Sequence, residues 1–523
     1  MDLQSAFDAT TKVLFGQPIG ALEDFTPYLS EMMLPCSTVP SCISGKGVIL
    51  SNPFYPEGAP AVSQDELAKI KPAPFSPNDI KDIDSLFRAA SERAVFCGNK
   101  TFGRNSEVSE ADNAVDCVLV EHAHNMRNVK YAAHCSHMRE SEHVFGCSGF
   151  PESRFSMRVW WGVGSNRCFE SYYGVNLSET YYCFNCVDCA NVMFSFNMRS
   201  KRNMIGGLQL TKERYSQLKE KLVSEMAGEL RRKKRLFSVP DIALFGRKKS
   251  EIPPDEVALD SPVPPKVESA FSSTAKIVLG HPRSGIKKYS KWLSSRVLCF
   301  RLVKGAFSTP TYKIDGMPFV NRIPADRLAT LSEAMEHTRK NPIIIAEGET
   351  PSLQEILLRV SKNAVFSLEF VGGIADNVVD TPGIFGGSNI YHMLDVTKGK
   401  DSAYTTTCVQ SEHIFGGYLR MLDSQFCINC YDLTKCKGCF EVDSSYSCRD
   451  SYFCHNCENV SDSMFCFNAK ALQYAVCNTV VGRGEFLRLK KMLLEHLNAE
   501  LDRDCGIKES VFSLGAAAGG KKK

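Results

Sequence analysis

The sequence predicts a mainly β fold: two tandem parallel β-solenoid domains, each with an N-terminal mixed segment and a C-terminal capping helix. Three observations carry this expectation. Cys430, Cys439, Cys448, Cys457 and Cys466 recur at nine-residue intervals. A second column, Cys427, Cys436, Ser445, Cys454 and Ser463, lies three residues ahead of the first. The pattern also occurs twice along the chain. Small, similar residues in fixed slots of a short repeat mark stacked units that bury the same positions.

A chain of 523 residues is long enough for two or more domains with real cores. Its 43% hydrophobic and 23% charged residues are ordinary for a globular protein, and a net charge of +3 implies no partner by bulk charge. No apolar run reaches the length of a membrane span, and the N-terminus lacks a basic segment followed by an apolar one. Without a secretory signal, synthesis is expected in the cytoplasm and no membrane contact is implied. The 22 cysteines then read as reduced thiols or metal ligands, not as a secreted disulfide framework.

The duplication is legible in ordered echoes. Lys12 to Pro18 returns as Lys276 to Pro282, Ser91 to Phe96 as Ser361 to Phe366, and SEHVFG at 141–146 as SEHIFG at 411–416. From Cys183 to Leu230 the register holds without a gap against Cys454 to Leu501. The copies span roughly 1–232 and 266–505. In the first, a mixed segment plus helix fills 1–93, the solenoid 94–210 and a capping helix 211–232. A Pro-rich basic linker follows at 233–265. The second copy has its mixed segment plus helix at 266–363, its Cys-rich solenoid at 364–481 and its capping helix at 482–505, with a disordered tail at 506–523.

Each element has a local reason. Ser76-Pro77 and Thr350-Pro351 offer an N-cap hydroxyl and a proline at the first helical position. Ile80, Ile83, Leu86 and Ala90, like Leu353, Ile356, Leu357 and Val360, then repeat at helical spacing. In the first repeat the columns are blurred, as in Cys117, Met126, Cys135 and Val144, and an irregular aromatic excursion from Phe155 to Trp161 interrupts them. Tyr215, Leu218, Leu222, Met226 and Leu230 line one helical face, as do Phe486, Leu489, Leu493, Leu497 and Leu501. A helix laid over the last rung would close an exposed edge.

Nine extended residues span about 30 Å, too little to go out, turn twice and return. Two units, eighteen residues, are therefore expected to form one coil. Cys430, Cys448 and Cys466 would stack on one wall, with Cys439 and Cys457 on the other. On this reading Cys427, Cys430, Cys436, Cys439, Cys448, Cys454, Cys457, Cys466, Cys183 and Cys186 form a structural ladder, because free cysteine is small and often buried. Zinc is the alternative, with Cys427, Cys430, Cys436, Cys439, Cys454 and Cys457 as ligands, since each doublet has the spacing of a zinc ribbon. The nine-residue grid and the short gap between doublets favour the ladder. No cofactor is otherwise implied.

The first copy also gathers His122, His124, His134, His137 and His143, of which only His143 has a counterpart, His413; surface histidines are the expectation. Arg231, Arg232, Lys233, Lys234 and Arg235 could contact nucleic acid, although a solvated helix end explains them as well. Phosphate loops, nucleophile elbows and paired catalytic carboxylates are not recognisable, so an enzyme is not expected.

The run YCFNCVDCANVMFSFN, followed by a helix opening TKERYSQLKEKL, resembles a loosely defined group of cysteine-rich repeat proteins found in large tailed phages and candidate-phylum microbes. In that group similar rungs run into a turn and a helix. The likeness covers the repeat and helix of each copy; the second departs from it at Gly484-Glu485-Phe486, where the tyrosine motif is weak. The resemblance carries no catalytic residues. It implies a bacteriophage setting and a virion component: a non-enzymatic structural or assembly protein that contacts other protein subunits in a virus particle. The alternative is a zinc-stabilised binding module that contacts nucleic acid through the basic linker.

Overall fold

The computed structural model describes the chain apart from residues 1, 32, 35, 72–73, 122, 128, 134, 139–140, 149–156, 246–253, 318, 407–411, 418–424, 426, 429–430, 432–437 and 516–523. Helix accounts for 32% and strand for 29%, so the structure is mixed and not mainly β. Part of the unexpected helix opens each copy, at Leu3–Phe15 and Pro265–Leu279. Both helices end on a left-handed glycine, Gly16 and Gly280, a conformation that costs glycine little. The echo from Lys12 to Pro18 and Lys276 to Pro282 is thus a helix C-terminus.

The chain divides into two compact units that cut across the two copies. One contains Met1–Cys36, Lys100–Ala258 and Phe300–Phe370; the other contains Ser37–Asn99, Leu259–Cys299 and Val371–Lys523. Each repeat is therefore packed with a segment of the other copy. Phe366 lies against Phe184 and Phe196 of the first repeat. Phe96 lies against His455 and Phe467 of the second.

In the first unit, parallel strands pair with the strand twelve residues further on. Asp112 faces His124, Ser178 faces Ala190, and Ala190 faces Arg202. The strand Arg158–Val163 keeps this register against Gly146 on one side and Tyr172 on the other, so its backbone does not depart from the repeat. The second unit behaves alike, with Ile384 facing Val396, Phe440 facing Tyr452, and Ser463 facing Ala475. The chain thus returns alongside itself every twelve residues. This overturns the eighteen-residue expectation.

Beneath the twelve lies a period of three. From Arg167 to Asn203 every third residue has a positive φ, and so does every third from Glu441 to Cys477. Left-handed backbone costs a side-chain-bearing residue roughly 1–2 kcal/mol, so these positions need compensation. Asn and Asp supply it through amide ladders between positions twelve apart, in Asn113–Asn125, Asn176–Asp188 and Asn456–Asn468. Aromatic residues supply it by stacking, as in Tyr182 on Phe194 and Phe453 on Phe465.

Along these runs the residue after a left-handed one is buried at most steps, although Lys201 is exposed. In the first unit Cys168, Leu177, Cys183, Cys186, Cys189, Val192, Met198 and Met204 form one core cluster. In the second, Cys427, Cys439, Val442, Cys448, Cys454, Cys457, Val460 and Cys466 share another. The nine-residue spacing also has a physical cause. An inward thiol reaches the carbonyl nine residues ahead: Cys183 to Val192 at 3.4 Å, Cys186 to Ser195 at 3.4 Å, Cys448 to Cys457 at 3.5 Å and Cys457 to Cys466 at 3.3 Å. Nine residues are three steps of the grid and end beside the next layer. They are a neighbour distance, not a coil.

Each repeat ends in a two-residue hairpin with positive φ at both turn positions, Gly206-Gly207 and Cys477-Asn478. The long helices follow. Lys212–Lys233 begins with the Thr211 hydroxyl accepting from the Arg214 N–H and buries Tyr215, Leu218, Leu222, Met226 and Leu230. Arg483–Asp504 buries Phe486, Leu489, Leu493, Leu497 and Leu501.

Other starts and ends differ from expectation. The helix Ile83–Ser91 is capped by Asp82 with Ser85, not by Ser76, and Leu353–Asn363 by Ser352 with Glu355, not by Thr350. In both cases a side chain three residues on completes a reciprocal capping box. The linker contains a short helix, Val239–Leu244, with Val239, Pro240, Ile242 and Ala243 buried. The tail is ordered through Gly515: Val511, Phe512 and Leu514 are buried, because Phe512 packs on Tyr55 and Tyr431.

Candidate functional site

The cysteines fall where the inward grid puts them. Cys448, Cys454, Cys457, Cys466, Cys183 and Cys186 are buried and form no disulfide, Cys427 and Cys439 are buried, and Cys430 and Cys436 lie outside the described residues. Burial pushes the Cys168 and Cys448 thiols up to about 11 and raises Cys457 as well. Such thiols stay protonated near neutral pH, whereas zinc is held by thiolate. Among the described residues no three cysteine sulfurs converge as a metal would need. The alternative ligands Cys427, Cys439, Cys454 and Cys457 are thus spread through a packed interior. One group of three does converge, namely His496, Glu500 and Glu509.

The basic run is engaged by its own unit. Arg231 donates to Gln17, Arg232 and Lys233 pair with Glu229, Lys234 with Asp24, and Arg235 with Glu31 and Asp241. Lys234 also ends the helix in a left-handed cap. These charges meet carboxylates and a helix C-terminus, as those of a solvated helix end do.

The buried polar centres are sites that sequence reasoning missed. In the first unit Glu170 takes a 2.8 Å ion pair from Arg158, a 2.7 Å hydrogen bond from the Tyr28 hydroxyl and a 2.6 Å one from Tyr172. The guanidinium lies 3.8 Å over the Tyr28 ring. Burial pushes the Glu170 carboxyl up, and Arg158 with the two hydroxyls pulls it back. In the second unit Glu441 receives the Ser510 hydroxyl at 2.6 Å, the Val511 N–H at 3.0 Å and the Tyr431 hydroxyl at 3.0 Å, with Arg296 at 3.6 Å. A signal was present: Cys-Phe-Glu stands at 168–170 and again at 439–441, in the register of the duplication.

Two further centres use the twelve-residue register directly. Asp443 and His455 pair at 2.9 Å, and the Tyr55 hydroxyl donates to the same carboxylate at 2.6 Å. The Cys97 N–H donates to Nε2 of His455, which makes Nδ1–H the donor to Asp443. With both ring nitrogens engaged and the ring fully buried, His455 has no lone pair left to act as a base. Lys100 and Asp112 form a buried ion pair at 2.8 Å beside His124. His124 is only 1% exposed, contrary to the surface expectation, and burial lowers it to about 4. His122 and His134 lie outside the described residues.

Open depressions on the first unit carry similar pairs. One of about 400 Å³ contains Glu349 and Arg359, which are ion-paired, and one of about 310 Å³ contains Glu179 and Lys219, paired at 2.7 Å. No helix among the described residues is long and apolar enough to cross a membrane. Comparison with protein-family models, curated proteins and solved structures finds no match for this chain.

Proposed function

We propose that the chain is a non-enzymatic structural or assembly protein, a component of a virus particle of the bacteriophage type. Its two strand stacks are β-solenoids of twelve-residue coils with four three-residue sides, and they serve as a rigid scaffold for other protein subunits. One observation carries the reading: three strongly polar groups of the interior are held by neighbours within their own unit. Glu170, Glu441 and His455 each spend their hydrogen-bonding capacity on neighbours from elsewhere in the same unit. A group already satisfied holds a scaffold together, whereas catalysis needs one poised toward a cavity. The parallel register supports rigidity, since every coil pairs along its length with the next.

Mass spectrometry of purified virus particles from the source of this sequence tests the virion reading. The chain is expected at a copy number comparable to other structural proteins; its absence from particles overturns that reading. The scaffold reading is tested separately by native mass spectrometry of the particle's partly dissociated complexes, where this chain should remain bound to other subunits. Its recovery only as a free chain would count against it.

A further inference from the structure

We propose that His496, Glu500 and Glu509 form a binding site for a divalent transition-metal ion, of which Zn²⁺ is the representative, and that the ion fastens the C-terminal segment to the helix before it. His496 and Glu500 stand one turn apart on Arg483–Asp504, so they project from one face. The helix stops at Cys505 in a left-handed cap, and the chain turns back to bring Glu509 to the same face. One ligand atom from each residue lies within 4.8 Å of the others, and Nε2 of His496 is 3.7 Å from Oε1 of Glu509. Tetrahedral donors held at about 2.1 Å from one ion stand roughly 3.4 Å apart, so closure requires side-chain shifts only.

Independent of that spacing, two polar atoms here lack a hydrogen bond. Nε2 of His496 and Oε2 of Glu509 are buried and accept or donate no hydrogen bond. Leaving such atoms unpaired costs stability that a bound cation would restore. Glu500 is only 4% exposed, and the Lys508 N–H donates to it at 3.3 Å. Arg503, 3.5 Å from Glu500, is the nearest cation, but it is well exposed and turns to Asp504 at 2.9 Å. Phe87 places its ring edge-on to His496 and closes one side. One imidazole and two carboxylates suit zinc, cobalt or manganese and leave a coordination position for water. The segment so fastened carries Ser510 and Val511, the donors to buried Glu441. Metal binding would therefore hold the cover over that carboxylate.

The test is titration of the chelator-treated full-length chain with Co²⁺, followed by optical absorption and melting. One ion per chain is expected, with weak visible bands, without the intense thiolate-to-cobalt bands in the ultraviolet, and with a higher melting temperature. His496→Ala and the near-isosteric Glu509→Gln should each weaken binding at least tenfold, the latter in a chain that still folds. Absence of binding, binding unchanged in Glu509→Gln, or the appearance of thiolate bands would each overturn the proposal.

Discussion

His455 donates through Nδ1 to Asp443, the residue twelve positions earlier, at 2.9 Å. The same pair is closed by Tyr55 and Cys97, which belong to the other copy of the duplicated sequence. In the other unit Asn197 mirrors this by donating to the carbonyl of Val365 at 2.9 Å, and Asn185 to those of Ser367 and Glu369. A duplicated chain has exchanged the segments that pack on its repeats.

Exchange has a consequence for cleavage. A protease site placed after Lys249, within the linker, should yield two fragments that elute together in size exclusion without denaturant, because each unit contains core from both. Separation of the fragments in buffer would show that the exchanged segments contribute little.

Arg158 is wholly buried against Glu170. Arg158→Met leaves that carboxylate without its cation and is expected to cost about 3–5 kcal/mol in urea unfolding. Adding Glu170→Gln should recover most of the loss, since the uncompensated charge is then gone. A double variant no more stable than the single one would contradict the pairing.

His124 sets an acid limit. Its folded value is lowered to about 4 from an ordinary 6.5, so the folded state binds the proton less well than the unfolded chain. The stability it contributes is present above pH 6.5 and is lost as pH falls from 6.5 toward 4, by about 3 kcal/mol in all. His124→Asn should flatten that part of the stability profile, measured by urea midpoints from pH 7.5 to 4.5. An unchanged slope would argue that another group is responsible.

Thiol labelling reports the packing of the cysteines. In native protein, iodoacetamide should reach Cys36, Cys42 and Cys299, which are exposed. Cys183, Cys186, Cys448, Cys454, Cys457 and Cys466 should react only on unfolding, being buried. Rapid native labelling of Cys448 or Cys457 would contradict an interior position.

The duplication and the two long helices were legible because both leave local, repeated marks such as the shared Met-Phe-x-Phe-Asn and the apolar stripe from Tyr215 to Leu230. The inward placement of the cysteines was legible too, since Val, Met and Leu replace them at the same phase. The coil length was not. Cysteines nine apart stand out in the sequence, while like pairs twelve apart, such as Asn456 with Asn468, are mixed with unlike ones, such as Val442 with Cys454. The exchanged packing left no local trace: nothing near Phe96 or Phe366 states which repeat it will meet. The buried Glu170 and Glu441 were masked by charge, which is read as surface unless its partners are known.

The twelve-residue register is tested most directly by a disulfide. Glu458 and Lys470 pair at 2.8 Å and face each other in an isolated parallel bridge. Cysteines replacing both should have Cα atoms within bridging distance, about 5.5 Å. Peptide mapping after mild oxidation of Glu458→Cys/Lys470→Cys is expected to show the 458–470 bridge in high yield. Glu458→Cys combined with Phe467→Cys, nine residues on, or with Val476→Cys, eighteen on, should show none. A bridge in either of those, and none between 458 and 470, would contradict the twelve-residue coil.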